Sequence, residues 1–308
     1  MRTLPHFLHE RLLELRQKRG FDCGTYIQKK SALIQDYFRR CGLNSAVLGL
    51  SGGVDSAVAL GVMCYAQQQK DSPIQKILPL LMPIHGRGST EQERARRRGK
   101  EVAVALGVET WLCDLSDVQQ SYIHAFPEIS SAWAEGQLLS IVRTPALYYG
   151  AAMLQEKGYR SLVVGTTNRD EGAYLGFFGK ASDAMVDLQP ISDLHKSEVW
   201  TLARYLDIPQ EVIDAPPSGD VFDGRNDMEM IGAPYDFVEL FLMARAQGIS
   251  ITPSKCTEEE KELFVRYQNA VQEQHNKNAH KYWVGSPAVH LDVLPRGVPG
   301  GWTCSYHP

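Results

Sequence analysis

The chain has 308 residues, 44% of them hydrophobic and 22% charged, with a formal net charge of −4. That apolar content is too high for a disordered chain and sufficient for a large core. No apolar run reaches the roughly 20 residues of a membrane-spanning helix, and the slight acidic excess disfavours a surface built to hold a phosphate polymer, so neither membrane nor nucleic acid is an expected partner. The cysteines, Cys23, Cys41, Cys64, Cys113, Cys256 and Cys304, form no C-x-x-C pair. They are expected to be mostly buried thiols in a reducing compartment rather than metal or redox groups. The first twenty residues are charged throughout and lack a signal peptide's apolar stretch, so the expected location is the cytoplasm.

Leu8, Leu12, Leu13 and Leu15 give the start an amphipathic helical spacing. A second helix is expected over residues 24–40, before Gly42 and Asn44 punctuate the chain. Residues 45–50 (SAVLGL) then read as a buried strand, 55–68 as a helix and 76–82 as a second strand. Thr90 and Glu93 have the spacing of a capping box for a helix over about 89–106. Residues 109–113 read as a third strand, 138–155 as one long helix, 161–165 (SLVVG) as a fourth strand and 197–205 as a helix. Such alternation predicts an α/β fold, a doubly wound parallel sheet flanked by helices. Residues 216–234, rich in Gly, Pro, Asp and Asn, read as a loop, and 285–308 as a Pro/Gly-rich tail.

The first strand runs straight into Ser51-Gly52-Gly53-Val54-Asp55-Ser56. A glycine-rich turn between strand and helix lets backbone N–H groups approach an anion, and the helix dipole adds to the attraction. Bare phosphate would repel Asp55, whose carboxylate makes most sense on Mg²⁺. The same turn also suits simple close packing. Gly49-Leu50-Ser51-Gly52-Gly53 further fits the G-x-S-x-G elbow of serine hydrolases, but it follows the first strand rather than a later one, and no His-Gly-Gly sequence precedes it.

The hexapeptide resembles the S-G-G-x-D-S pyrophosphate loop of the ATP pyrophosphatase superfamily. Further on come Gly165-Thr166-Thr167-Asn168-Arg169-Asp170-Glu171, then Gly176-Phe177-Phe178-Gly179-Lys180, Asp183, Asp187, Pro190 and Lys196, then Pro217-Ser218-Gly219-Asp220 and His280-Lys281. Order and spacing resemble the ammonia-dependent NAD synthetase family from about Leu48 to Lys281. The resemblance implies an adenine nucleotide α-hydrolase-like fold with a helical N-terminal extension. It divides one synthetase domain, 1–308, into the extension (1–44), a nucleotide-binding core (45–218) and a region of loop, helices and tail (219–308).

It also implies roles. Gly49, Leu50, Ser51, Gly52, Gly53, Val54, Asp55, Ser56, Thr166, Lys196 and Ser218 would bind ATP, and Asp55 and Glu171 would hold Mg²⁺. Arg143, Lys180, Asp187, His280 and Lys281 would bind nicotinate adenine dinucleotide (deamido-NAD). Asp55, Lys196 and Asp183 would be catalytic, with Asp183 or Asp187 taking a proton from ammonium. The implied reaction is amidation of deamido-NAD through an acyl-adenylate, releasing AMP and pyrophosphate. The alternatives are a related ligase acting on another acid and a non-catalytic dinucleotide or ATP sensor. About 44 residues precede the first strand, too few for an amidohydrolase domain, so ammonia is expected free or from a separate glutaminase. The family implies a homodimer. Departures from the pattern are Ile141 where the family helix carries an arginine, one extra residue between Glu171 and Gly176, Ala181-Ser182 after Lys180, and Ser218 where threonine is commoner.

Overall fold

The computed structural model describes residues 4–85, 89–126, 131–216, 226–252, 256–282, 289–290 and 293. Two helices, α1 (His6–Arg19) and α2 (Cys23–Cys41), come first. Leu8, Leu12 and Leu15 are buried on α1, whereas Leu13 is 49% exposed, because a 100° step per residue turns it off the stripe of the other three. Asp22 starts α2 by accepting the Thr25 N–H at 2.8 Å, and Gly42 ends it in the left-handed region at φ 63°.

The alternating part follows as β1 (Ser45–Gly49), α3 (Val54–Gln68), β2 (Lys76–Leu81), α4 (Ser89–Ala105), β3 (Trp111–Leu112), α5 (Ser116–Ala125), α6 (Ala132–Ile141), α7 (Arg143–Glu156) and β4 (Ser161–Val164). A π-helical turn (Glu171–Leu175), β5 (Leu188–Gln189), α8 (Lys196–Tyr205) and α9 (Gln210–Ile213) come next. The chain continues through α10 (Asp227–Ile231), α11 (Tyr235–Ala246), α12 (Glu258–Asn278), a 3₁₀ turn (Ala279–Lys281) and β6 (Val289–His290).

The sheet order is β3-β2-β1-β4-β5-β6, and every pair is parallel. The winding direction reverses between β1 and β4, where open α/β sheets bind ligands beyond the strands' carboxyl ends. Side chains alternate across β1. Ala46 and Leu48 join the apolar cluster with α2 and α3, while Val47 joins the one with α7. Helices therefore cover both faces, as expected. A third cluster unites α1, α11 and α12 with Ala173, Tyr174 and Leu175 of the π turn.

Several expectations need correction. The long helix over 138–155 is two helices, interrupted at Val142. The stretch read as a loop contains α10, started by a capping box between Asn226 and Glu229. Helix α4 already includes Ser89, so Thr90 lies inside it, and Glu93 is held by Arg96. Among the described cysteines only Cys64 is buried, and Cys304 lies outside the described residues.

Candidate active site

The loop after β1 is fixed from outside by α4. Gly52 has φ +80°, and a Cβ there would lie 2.1 Å from the Ala95 carbonyl oxygen, so no side chain fits. Arg98 Nε donates to the Gly52 carbonyl at 3.1 Å. Ser56 Oγ donates to the Gly53 carbonyl at 2.9 Å and lies 3.0 Å from Ser51 Oγ. The partners found for Ser51 are this hydroxyl and the Gly53 N–H, not an imidazole, which removes support from the hydrolase reading. The loop leads into the first turn of α3, where N–H groups lack helical partners.

Across the switch point, the segment after β4 meets this loop. Asn168 Nδ2 donates to Asp55 Oδ1 at 2.9 Å, and Lys196 Nζ donates to Asp55 Oδ2 at 2.5 Å. The same ammonium lies 3.5 Å from Glu171 Oε1. Tyr235 Oη is 3.1 Å from both Glu171 Oε1 and Asp227 Oδ2, and its ring centroid is 5.0 Å from Lys196 Nζ. Burial opposes the charge on Lys196, but Asp55 and Glu171 outweigh it and hold its pKa above the usual lysine value. Glu171 moves the other way. Burial raises it, Lys196 resists, and the carboxylates of Asp55 and Asp227 raise it further.

A second buried contact sets the start of α8. Asp170 Oδ2 accepts the Lys196 backbone N–H at 2.7 Å, and Oδ1 is 2.5 Å from His195 Nδ1. Burial pushes the Asp170 carboxyl up to about 7 and the imidazole down to about 3. The His195 backbone N–H donates to Glu198 Oε2 at 2.8 Å, and Arg19 of α1 holds that carboxylate in turn. A lysine in a helix's first turn opposes the helix dipole, and these carboxylates offset the conflict.

Thr166 is half-buried just beyond β4, and next to it Gln189 Oε1 accepts the Thr167 N–H at 3.1 Å. Gln189 Nε2 donates to the Asp183 carbonyl at 2.8 Å, tying the Lys180–Asp183 turn to the end of β4. Lys180 and Asp183 are exposed, and Asp183 Oδ2 accepts from Gly179 N and Ser182 Oγ, both at 3.0 Å. Asp187 is more engaged, accepting the Val163 N–H at 2.7 Å, with Tyr148 Oη at 3.4 Å. Arg143 begins α7 and reaches the Met82 carbonyl, 3.3 Å away beyond β2. His280 is exposed, while Lys281 Nζ donates to the Gly176 and Phe178 carbonyls at 2.7 and 2.5 Å. Ser218 lies outside the described residues.

The structure thus brings Asp55, Glu171 and Lys196 together and keeps Arg143, Lys180, Asp183 and His280 out of direct contact with them. Sequence reading missed Asn168, Asp170, Gln189, His195, Asp227 and Tyr235. Asn168 and Asp170 stand inside the quoted motif, and their polarity beside Glu171 was the available signal. Asp227 and Tyr235 come from a stretch that reads as irregular.

A parallel sheet with a glycine-rich loop and a lysine–carboxylate cluster at its switch point defines an α/β nucleotide-binding protein. A family model described as NAD synthase matches residues 26–284. The NH(3)-dependent NAD(+) synthetase of Methanocaldococcus jannaschii is 31% identical over 262 residues, covering 83% of this chain and 93% of that protein. The protein of the same name from Pyrobaculum aerophilum is 31% identical over 267 residues, covering 86% and 91%. The chain belongs to the NAD synthase family. In fold it is similar to an NMN synthetase from Francisella tularensis, with a TM-score of 0.69, 23% identity, and 89% of this chain and 99% of that one covered. It is also similar to an NH3-dependent NAD synthetase from Campylobacter jejuni, with a TM-score of 0.62, 23% identity and coverage of 85% and 96%.

Proposed function

We propose that the protein converts deamido-NAD to NAD, using ATP and ammonia and releasing AMP and pyrophosphate. The observation that carries this reading is the convergence of Asp55, Lys196 and Glu171 across the switch point of a NAD synthase family chain. Ammonia would only deprotonate a nicotinate acid, so the carboxylate must first be activated. Attack of that carboxylate on the ATP α-phosphorus forms an acyl-adenylate and expels pyrophosphate. Ammonia then attacks the acyl carbon and AMP leaves.

The chain's own groups serve this route by placement and charge. Backbone N–H groups of the Ser51–Ser56 loop cradle the pyrophosphate, Lys196 faces its negative charge, and Thr166 and Ser218 hold the nucleotide. Arg143, Lys180, Asp187, His280 and Lys281 hold the dinucleotide, and Asp183 or Asp187 takes a proton from ammonium.

The donor set suits Mg²⁺. Asp55 and Glu171 offer hard oxygens with Asp227 nearby, and Lys196 faces both of the first two. Two carboxylates suit an ion that takes one or two of them and completes its shell with phosphates and water. Bound by Asp55 and Glu171, Mg²⁺ would supply neutralisation of pyrophosphate charge.

The active unit in this reading is one synthetase domain in a homodimer. Tyr122, Phe126, Trp133, Ile141 and Tyr149 are exposed on and beside α5, α6 and α7, an apolar surface that suits a second copy. No helix among the described residues is long and apolar enough to cross a membrane. The cytoplasm, with its ATP, is the proposed location, and a separate glutaminase is a proposed source of ammonia.

The test is a stoichiometric assay with ATP, ammonium and deamido-NAD. AMP, pyrophosphate and NAD should form in equal amounts, and glutamine should not replace ammonium. AMP formation with a different acid alone, or none with any acid, would overturn the reading.

A further inference from the structure

The π turn after Asp170 ends at Gly176, leaving a run of carbonyls beyond the help of a continuing helix. Side chains from the end of α12 and just beyond it take them. Tyr282 Oη donates to the Gly172 carbonyl at 2.9 Å, and His275 Nδ1 donates to that of Tyr174 at 2.7 Å. Asn278 Nδ2 donates to Leu175 at 3.0 Å, and Lys281 Nζ donates to Gly176 and Phe178. The spacing 275, 278, 281–282 lines one face of the helix and its 3₁₀ continuation. His275 also stacks on Tyr174, with ring centroids 3.8 Å apart and planes 5° apart. Gly176 has φ +62°, and a Cβ there would lie 2.5 Å from Asn278 Cβ, so the two backbones approach closely only because position 176 is glycine.

The segment held this way begins at Glu171 and leads directly into the turn carrying Lys180 and Asp183. Ala173, Tyr174 and Leu175 are buried in the α1–α11–α12 layer, whereas Glu171 points to Lys196 in the α/β part. We propose that His275, Asn278, Lys281 and Tyr282 form a template that sets the path of residues 172–178, and so positions both Glu171 and the Lys180 turn toward the acid substrate. The substrate part of this statement rests on the function proposed above. His275, Asn278 and Tyr282, which lie outside the late His-Lys pair of the sequence motif, are positioning residues that act through backbone carbonyls, whereas Lys281 joins the template in addition to the dinucleotide contact proposed above.

Two measurements test the template. The first is amide hydrogen exchange of residues 172–178 in the ligand-free protein, which needs no activity. Tyr282→Phe and His275→Leu should speed exchange there by about tenfold, while Glu273→Ala on the exposed face of α12 should not. The second is steady-state kinetics. Each lost hydrogen bond should raise KM for deamido-NAD about 3- to 10-fold, more than it lowers kcat. His275→Asn, whose amide donates from nearly the same place as Nδ1, should restore KM to within about twofold of wild type. A purely structural role would reduce the folded fraction and lower apparent kcat with KM unchanged. Unaltered exchange at 172–178, or equal behaviour of His275→Leu and His275→Asn, would overturn the template. A wild type inactive on deamido-NAD would instead overturn the functional reading and leave the exchange result to decide the template.

Discussion

Two buried lysine–carboxylate contacts flank the same short connection between β5 and α8, and they are built differently. Lys30 and Asp193 are both fully buried, with Nζ 2.8 Å from Oδ1. Tyr26 Oη donates to the same carboxylate oxygen and Val293 N donates to the other, each at 2.8 Å. Burial alone would raise Asp193, but Lys30, Tyr26 and Val293 outweigh it and hold the carboxyl below its ordinary range. The guanidiniums of Arg19 and Arg169 add to the favourable field on this carboxylate. Three residues further on, the Lys196 ammonium serves both Asp55 and Glu171, with Asp227 behind them and one tyrosine hydroxyl between two carboxylates. A buried carboxylate compensated by cations and N–H and O–H donors acts as scaffold. One ammonium shared between two carboxyl groups at a switch point leaves oxygen lone pairs for a cation or a ligand to use.

Breaking the Lys30–Asp193 contact should give the largest effect. Lys30→Met leaves Asp193 buried without its ammonium and should cost about 3–5 kcal/mol of stability in chemical denaturation. The molecules that stay folded should keep their kcat. A loss below about 1 kcal/mol would erase the contrast between the two clusters. Asp55→Asn strikes the Lys196 cluster. It should lower kcat by about 10²–10³ with a nearly unchanged melting temperature, because one of two competing carboxylates remains for Lys196. Near-normal turnover with unaltered Mg²⁺ dependence would remove Asp55 from the metal assignment. Tyr235→Phe, which deletes the hydroxyl between Glu171 and Asp227, should cost roughly tenfold in activity. Equal kinetics for the two proteins would make Tyr235 packing alone.

The smallest effect is a pH dependence. The folded pKa of Asp193 is depressed, so its contribution is fully present above the unfolded carboxylate value of about 4. It is lost as pH falls through the lower folded value. Wild type should lose stability along that acid limb. Lys30→Met, in which burial is no longer opposed by the ammonium, should show a weaker or inverted limb in urea midpoints measured across it.

Four strands were legible because they are short apolar runs between turn residues, and residues 45–50 and 161–165 locate β1 and β4 almost to the residue. β5 and β6 were not, since each has only two residues in strand pairing and β6 lies in a Pro/Gly-rich tail. The break in the helix read over 138–155 did have a signal, Pro145, which has no N–H to continue the preceding helix and sits in the first turn of α7. Asp55, Glu171 and Lys196 were readable as a set from motif order, and geometry adds that one ammonium bridges them. Asp227 and Tyr235 could not be read, because nothing in a Gly- and Asp-rich stretch says which acidic side chain turns inward. His195 matched no motif. Its pairing with Asp170, distant in sequence, exists only once α8 is docked.

Asp193 has one further consequence, for the topology of the chain. Tyr26 and Lys30 come from the second helix and Val293 from beyond the last strand, so a single side chain fastens an early segment to a late one. Most of the polypeptide is thereby closed into a non-covalent ring. The entropy of closing such a ring grows only logarithmically with its length, so the wide separation adds little to the cost. A circular permutant opened at exposed Gly107, whose surroundings are empty within 4 Å of a Cβ position, would keep this clasp intact. A chain ended after Tyr282 would keep every donor of α12 and still lose the Val293 N–H that completes it.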